Sequence, residues 1–153
     1  MDYSLADLEE ATGAKRRSIQ LWADAGVIRA YPRTDRRGTG THRRFSRDEA
    51  IMACIIKGLA DRQRAIGELL RLSTSIRAFL NSGANRKLLE AAIGGAEQLM
   101  ALKWTDQDTP EILIVPPGEV IIELFYEHDI EKKKLFKEVT LIPLRDCLKG
   151  MRT

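Results

Sequence analysis

Guanidinium and carboxamide groups are the side chains of this sequence best placed to do chemistry. Arg16 and Gln20 stand one helical turn apart, with Arg17 beside them, so a helix through this run carries all three outward. Arginine can hold guanine through two parallel hydrogen bonds, and glutamine can hold adenine in the same way. The same groups can also hold phosphate without reading sequence, and Lys15 and Ser18 stand next to them. Further on, Arg36, Arg37, Arg43 and Arg44 surround a glycine-rich stretch, DRRGTGTHRR. Gly38 and Gly40 permit a tight turn there. Basic side chains on a narrow hairpin suit phosphates beside a groove, or the minor groove itself. From Lys15 to Arg47 there are ten Lys and Arg against two acids, Asp24 and Asp35, although the whole chain nets only +3. Such clustering is the electrostatic footprint of a nucleic-acid binder. A solvated basic surface would account for the helix alone, but the basic hairpin after it favours double-stranded DNA as partner.

Other chemistries find little support. His42 and His128 have no Cys, His or carboxylate at metal-ligand spacing, so no metal and no cofactor is expected. Cys54 falls in an apolar helix and reads as a small core residue; Cys147 is far from it in sequence, which argues against a disulfide framework. There is no glycine-rich phosphate loop, nucleophile elbow or convincing carboxylate pair, and Glu119, Glu123 and Glu127 read as the wet side of a hairpin. An enzyme is not expected. No apolar run approaches the roughly 20 residues that span a bilayer, and MDYSLADLEE does not read as a signal peptide. The expectation is a cytoplasmic, nucleoid-associated protein with no membrane partner.

The elements that must position the basic groups can be traced in order. Ser4 reads as an N-cap with Asp7 in the first turn, and Thr12-Gly13 ends that helix. A second helix, about Lys15 to Ala25, turns Ile19, Trp22 and Ala25 inward and stops at Gly26. The hairpin runs from Arg29 to Arg47, anchored by Phe45. Ser46 caps a third helix with Ile51, Ile55 and Leu59 on one face. One helical stripe follows at Ile66, Leu69, Leu70, Ile76, Phe79 and Leu80, and a second at Leu88, Leu89, Ala92, Ile93, Ala96, Leu99 and Met100. Trp104 to Pro110 reads as a polar link. EILIV and EVIIELFY read as strands about Pro116-Pro117-Gly118, FKEVTLIPL as a third strand and LRDCLKGM as a short helix. The fold class is therefore mainly α with small β (α+β). The expected regions are 1–64 (winged helix-turn-helix), 65–103 (helical) and 104–153 (small α+β unit). Residues 1–47 net +4 and residues 81–153 net −2, which separates a basic head from a mildly acidic tail.

The first 70 residues or so resemble the MerR family of bacterial regulators. Its opening pattern is matched at Tyr3, Ser4, Leu5, Leu8, Thr12 and Gly13, its recognition helix at Arg17, Ser18, Ile19, Trp22 and Gly26, and its wing closure at Arg43, Phe45 and Ser46. Val27 and Ile28 stand for a Leu pair. Gln20-Leu21-Trp22 replaces the family's Arg-Tyr-Tyr, Glu9 stands where a small residue is usual, and Lys15 where a Ser often caps the helix. These departures bear on phosphate contacts and operator preference rather than on fold. The resemblance implies a second wing that brings Arg62 and Arg64 to backbone phosphate, with plain surface charge as the alternative. It also implies a homodimer paired through a long helix, for which residues 86–103 are the best candidate. An intrachain core is the rival account of that stripe, and Gly94-Gly95 costs a helix on the order of 1 kcal/mol per glycine.

The expected function is sequence-specific transcriptional regulation by a homodimer on a pseudo-palindromic operator. A phage-type or architectural DNA-binding factor, excisionase-like or terminase-like, is one alternative; an adaptor that kept the fold and lost DNA is another. The C-terminal region could hold a small-molecule or protein effector, or extend the dimer interface.

Overall fold

The computed structural model describes residues 1–35, 42–104, 109–119 and 138–151. Helices make up 54% of it beside one three-stranded antiparallel sheet, so the class is α+β with helix dominant. The chain forms two compact units. One is Met1–Thr74 with Cys147–Thr153, and the other is Ser75–Asp146.

The first unit begins with α1, Leu5–Thr12. Its start is a capping box: the Asp7 amide donates to the Ser4 hydroxyl at 3.2 Å, and the Ser4 amide donates to the Asp7 carboxylate at 2.7 Å. It ends at Gly13, whose φ of +67° is left-handed backbone that glycine adopts without strain. Thr12 fixes the turn, donating its hydroxyl to the Leu8 carbonyl at 2.6 Å and accepting the Ala14 amide at 3.0 Å. After three residues α2 starts, Arg16–Asp24, with Ile19, Trp22 and Ala23 buried. Val27 and Ile28 follow, both fully buried.

Among the described residues the expected hairpin is present at its base as single-residue pairings. Phe45, fully buried, is bridged to both Tyr3 and Ala30. Arg36, Arg37, Gly38 and Gly40, expected at the tip, lie outside the described residues. Ser46 caps α3, Arg47–Ala60, accepting the Glu49 amide at 3.2 Å. Residues Ala50 to Ile56 are buried without a break, so α3 runs through the core rather than presenting the single expected face.

Helix α4, Ile66–Leu80, departs from its expected stripe. Leu69, Leu72, Ser73, Ile76 and Leu80 are buried, an i, i+3, i+4 face, while Ile66 and Leu70 are exposed. The end of the chain belongs to the first unit. Leu148 and Met151 are buried, and a Cβ placed on Gly150 would overlap the backbone of Ala11. Residues from Cys147 on, expected in the 104–153 region, group with the first unit.

In the second unit the expected helix over 86–103 does not form. Helix α5 covers Gly83–Ile93 and stops at Gly94-Gly95, where Gly95 takes φ +107°. Leu99 and Met100, expected on the same helical stripe, lie instead in strand β1, Leu99–Trp104. This is the central strand, antiparallel to β2, Glu111–Val115, and β3, Glu138–Pro143, with Ala101 opposite both Leu113 and Leu141. Met100 to Lys103 are all buried, as a central strand covered on both faces requires. EVIIELFY, expected to pair with β2, falls almost wholly outside the described residues. The expected terminal helix is a single turn, α6, Leu144–Cys147, followed by a 3-10 turn at Lys149–Met151.

Candidate nucleic-acid interface

At about 100° per residue, Arg17, Gln20, Leu21 and Asp24 share one side of α2, opposite Ile19, Trp22 and Ala23. The burial agrees with this division. Lys15, Arg16, Arg17, Gln20 and Leu21 are exposed, Ser18 is half-buried, and the opposite side is core. Arg16 makes a loose pair with Glu9 at 3.4 Å, with both side chains well solvated. Such a pair contributes little and gives way readily to a stronger anion.

The start of α2 is electrostatically unfavourable by itself. Lys15 occupies the N-cap without a side-chain cap, no acid stands in the first turn, and Arg16 and Arg17 lie there instead. Cations at a helix N-terminus cost about 0.3–1 kcal/mol each, because the exposed amides already carry partial positive charge. An anion from outside would relieve both the amides and the arginines.

Arg43, expected at phosphate, is paired with two acids of the same run. Its Nη2 lies 2.7 Å from Asp24 and its Nε 2.8 Å from Asp35, and the side chain is only 13% exposed. Burial alone would lower the pKa of this guanidinium, but the hydrogen bonds and charges of Asp24 and Asp35 outweigh it and hold the value above the ordinary one. Arg43 ties the wing base to the end of α2 and compensates the acid on that helix's outer face. Arg44 is exposed, with its amide donating to Thr34 Oγ1 at 3.0 Å and its carbonyl accepting the Tyr31 amide at 2.8 Å. Its charge reaches Asp7, whose carboxyl is held below the usual range first by the Ser4 amide, then by the Ser4 hydroxyl, against an opposing burial effect, with Arg44 last.

Arg62 and Arg64, expected beside phosphate, are engaged around the end of α3. Arg62 donates to the Gly58 carbonyl at 2.5 Å, and Arg64 pairs with Glu68 at 2.8 Å with its side chain 17% exposed. Between them Gln63 adopts φ +59°, so this is a sharp turn held by its own side chains.

The expected dimerisation set is largely intrachain core. Leu89, Ala92, Ile93 and Met100 are buried, Leu88 and Leu99 half-buried, and Ala96 exposed. Burial pushes the Cys54 thiol up to about 12, with Cys147 adding to the effect, and its Sγ lies 3.8 Å from the Ala11 carbonyl. It is a core group rather than a nucleophile. Among the described residues no three His, Cys, Asp or Glu side chains cluster as a metal site, and no helix is long and apolar enough to cross a membrane. His128 lies outside the described residues.

Two features were missed from sequence. Asp24 and Asp35 are the lone acids of the basic run, and that isolation was the available signal for their shared arginine. Leu21 stands out in the sequence as a departure from a family pattern, and helical spacing sets it one turn from Arg17. No model of a known family matches the chain, and no curated protein matches it.

Proposed function

We propose that this protein is a DNA-binding transcriptional regulator of MerR-like type, acting as a homodimer on a pseudo-palindromic operator. The observation that carries the proposal is the outer face of α2, where Arg17 and Gln20 stand exposed beside Lys15 and Arg16 while the one acid, Asp24, is held by Arg43. Arg17 and Gln20 would meet base edges in the major groove, and Lys15 and Arg16 would meet phosphate at the helix start. Arg44, Arg36 and Arg37 would hold flanking phosphate. The proposal includes no catalytic step, and its setting is the cytoplasm, at the nucleoid. The second unit would carry dimer contacts or an effector site.

The test is retention of genomic fragments by the purified full chain as salt is raised to about 0.2 M, a range over which phosphate-only binding weakens steeply. A retained set that shares an inverted repeat upstream of genes supports the regulator. Retention confined to recombination or packaging sequences supports the architectural alternative. Uniform loss with salt removes sequence-specific binding, and the adaptor alternative then leads.

A further inference from the structure

We infer that Leu21 reads the 5-methyl group of a thymine and thereby sets part of the sequence preference of α2. The inference rests on the DNA-binding reading of that helix and names a specificity residue within it. Leu21 is 53% exposed, and among the described residues only Met1 is a more exposed large apolar side chain. It is not a frayed end: its carbonyl accepts the Ala25 amide at 3.0 Å, so the backbone that carries the side chain is held in the helix. It stands one turn after Arg17, on the side opposite Ile19, Trp22 and Ala23.

A leucine here has no polar atom to offer phosphate and leaves apolar surface in water. On DNA it would meet an apolar group close to anionic ones, because Arg17 and Gln20 share its side of α2 and Arg43 compensates Asp24. The DNA major groove offers both. Phosphates line its edges, and the thymine methyl is the apolar group that a base pair presents there. Among the described residues Leu70 and Ile66 are the other exposed leucine and isoleucine side chains. They lie on α4, outside the basic helix, so an apolar protein partner has less to recommend it at Leu21 than DNA has.

The test uses the full chain and synthetic duplexes. Wild type and Leu21→Ala each select from a library of randomised duplex DNA. The wild-type consensus is then remade with each thymidine singly replaced by deoxyuridine, which removes the methyl and leaves every hydrogen bond intact. One thymine position should weaken wild-type binding about fourfold, the effect of losing one buried methylene-sized group. The same replacement should leave Leu21→Ala binding unchanged, and the variant's own selected consensus should no longer prefer thymine there. Thermal unfolding of the variant should match wild type, because the side chain is exposed. Wild-type indifference to every thymidine replacement overturns the inference while leaving DNA binding intact. Equal sensitivity of wild type and variant also overturns it, since another residue would then be the reader. Failure of the wild type to enrich any sequence removes the DNA-binding reading, and this inference with it.

Discussion

The outer face of α2 and the base of the wing are both rich in arginine, and they use it in opposite ways. On α2, Arg17 is exposed and Arg16 holds its acid loosely, at the end of a helix where positive charge is unfavourable. At the wing base, Arg43 is sunk between two carboxylates at 2.7 and 2.8 Å. Arg64, just before α4, is likewise held, by the single carboxylate of Glu68. Charge density in a sequence therefore overstates the charge available to a ligand. Burial and the nearest acid decide which guanidiniums face outward and which hold the fold together.

Substitutions can break or sharpen this contrast. Arg17→Ala should weaken operator binding by about 1–3 kcal/mol, the worth of a good bidentate base contact, with stability unchanged within roughly 0.5 kcal/mol. Loss of stability without loss of binding would reverse the assignment. Arg43→Ala should do the converse and lower unfolding free energy by about 1–2 kcal/mol, discounted because Asp24 and Asp35 are partly solvated. A double-mutant cycle with Asp24→Asn should reveal the coupling, and the salt slope of DNA binding should stay near its wild-type value. Arg44→Ala should lower that slope by about one phosphate contact.

The capping box supplies a control that involves no DNA. Ser4→Ala should cost about 1 kcal/mol in urea unfolding. Because the folded Asp7 carboxyl is held below the usual carboxylate range by its bonds from Ser4, its contribution is present above that range and lost as pH falls through the lowered pKa. Asp7→Asn should therefore remove a stability difference seen at neutral pH and absent in strong acid. Arg64→Ala should have the smallest effect, about 0.3–0.5 kcal/mol on stability, as an i, i+4 pair does, and no effect on the salt slope.

Local signals made the first unit legible. Ser4, Gly13, Gly26 and Ser46 each carry a cap or a left-handed turn within a few residues, so helix starts and stops could be placed from sequence. On α2, spacing alone puts Arg17 and Gln20 outward and Ile19 and Trp22 inward, as the structure has them. What failed depended on distant partners. Leu99 and Met100 fit a helical period continued across Gly94-Gly95, yet their strand is defined by residues 111–115 and 138–143. Arg43 looked like any other arginine of the run until the fold brought Asp24 beside it. On α4 the apolar residues outnumber the buried positions, so the expected stripe includes Leu70 while the core takes Leu72.

Gly150 against Ala11 has a consequence for how the protein is made. The ribosome delivers α1 and α2 first, but the first unit still lacks Leu148, Gly150 and Met151 at that stage. At about 5–20 residues per second, the interval between residue 74 and residue 151 is on the order of ten seconds. During that time Ala11 and its surroundings wait uncovered while all of Ser75–Asp146 is synthesised. Translation that halts before the last turn leaves the basic head unsealed, so only chains carried through the second unit deliver a finished first one.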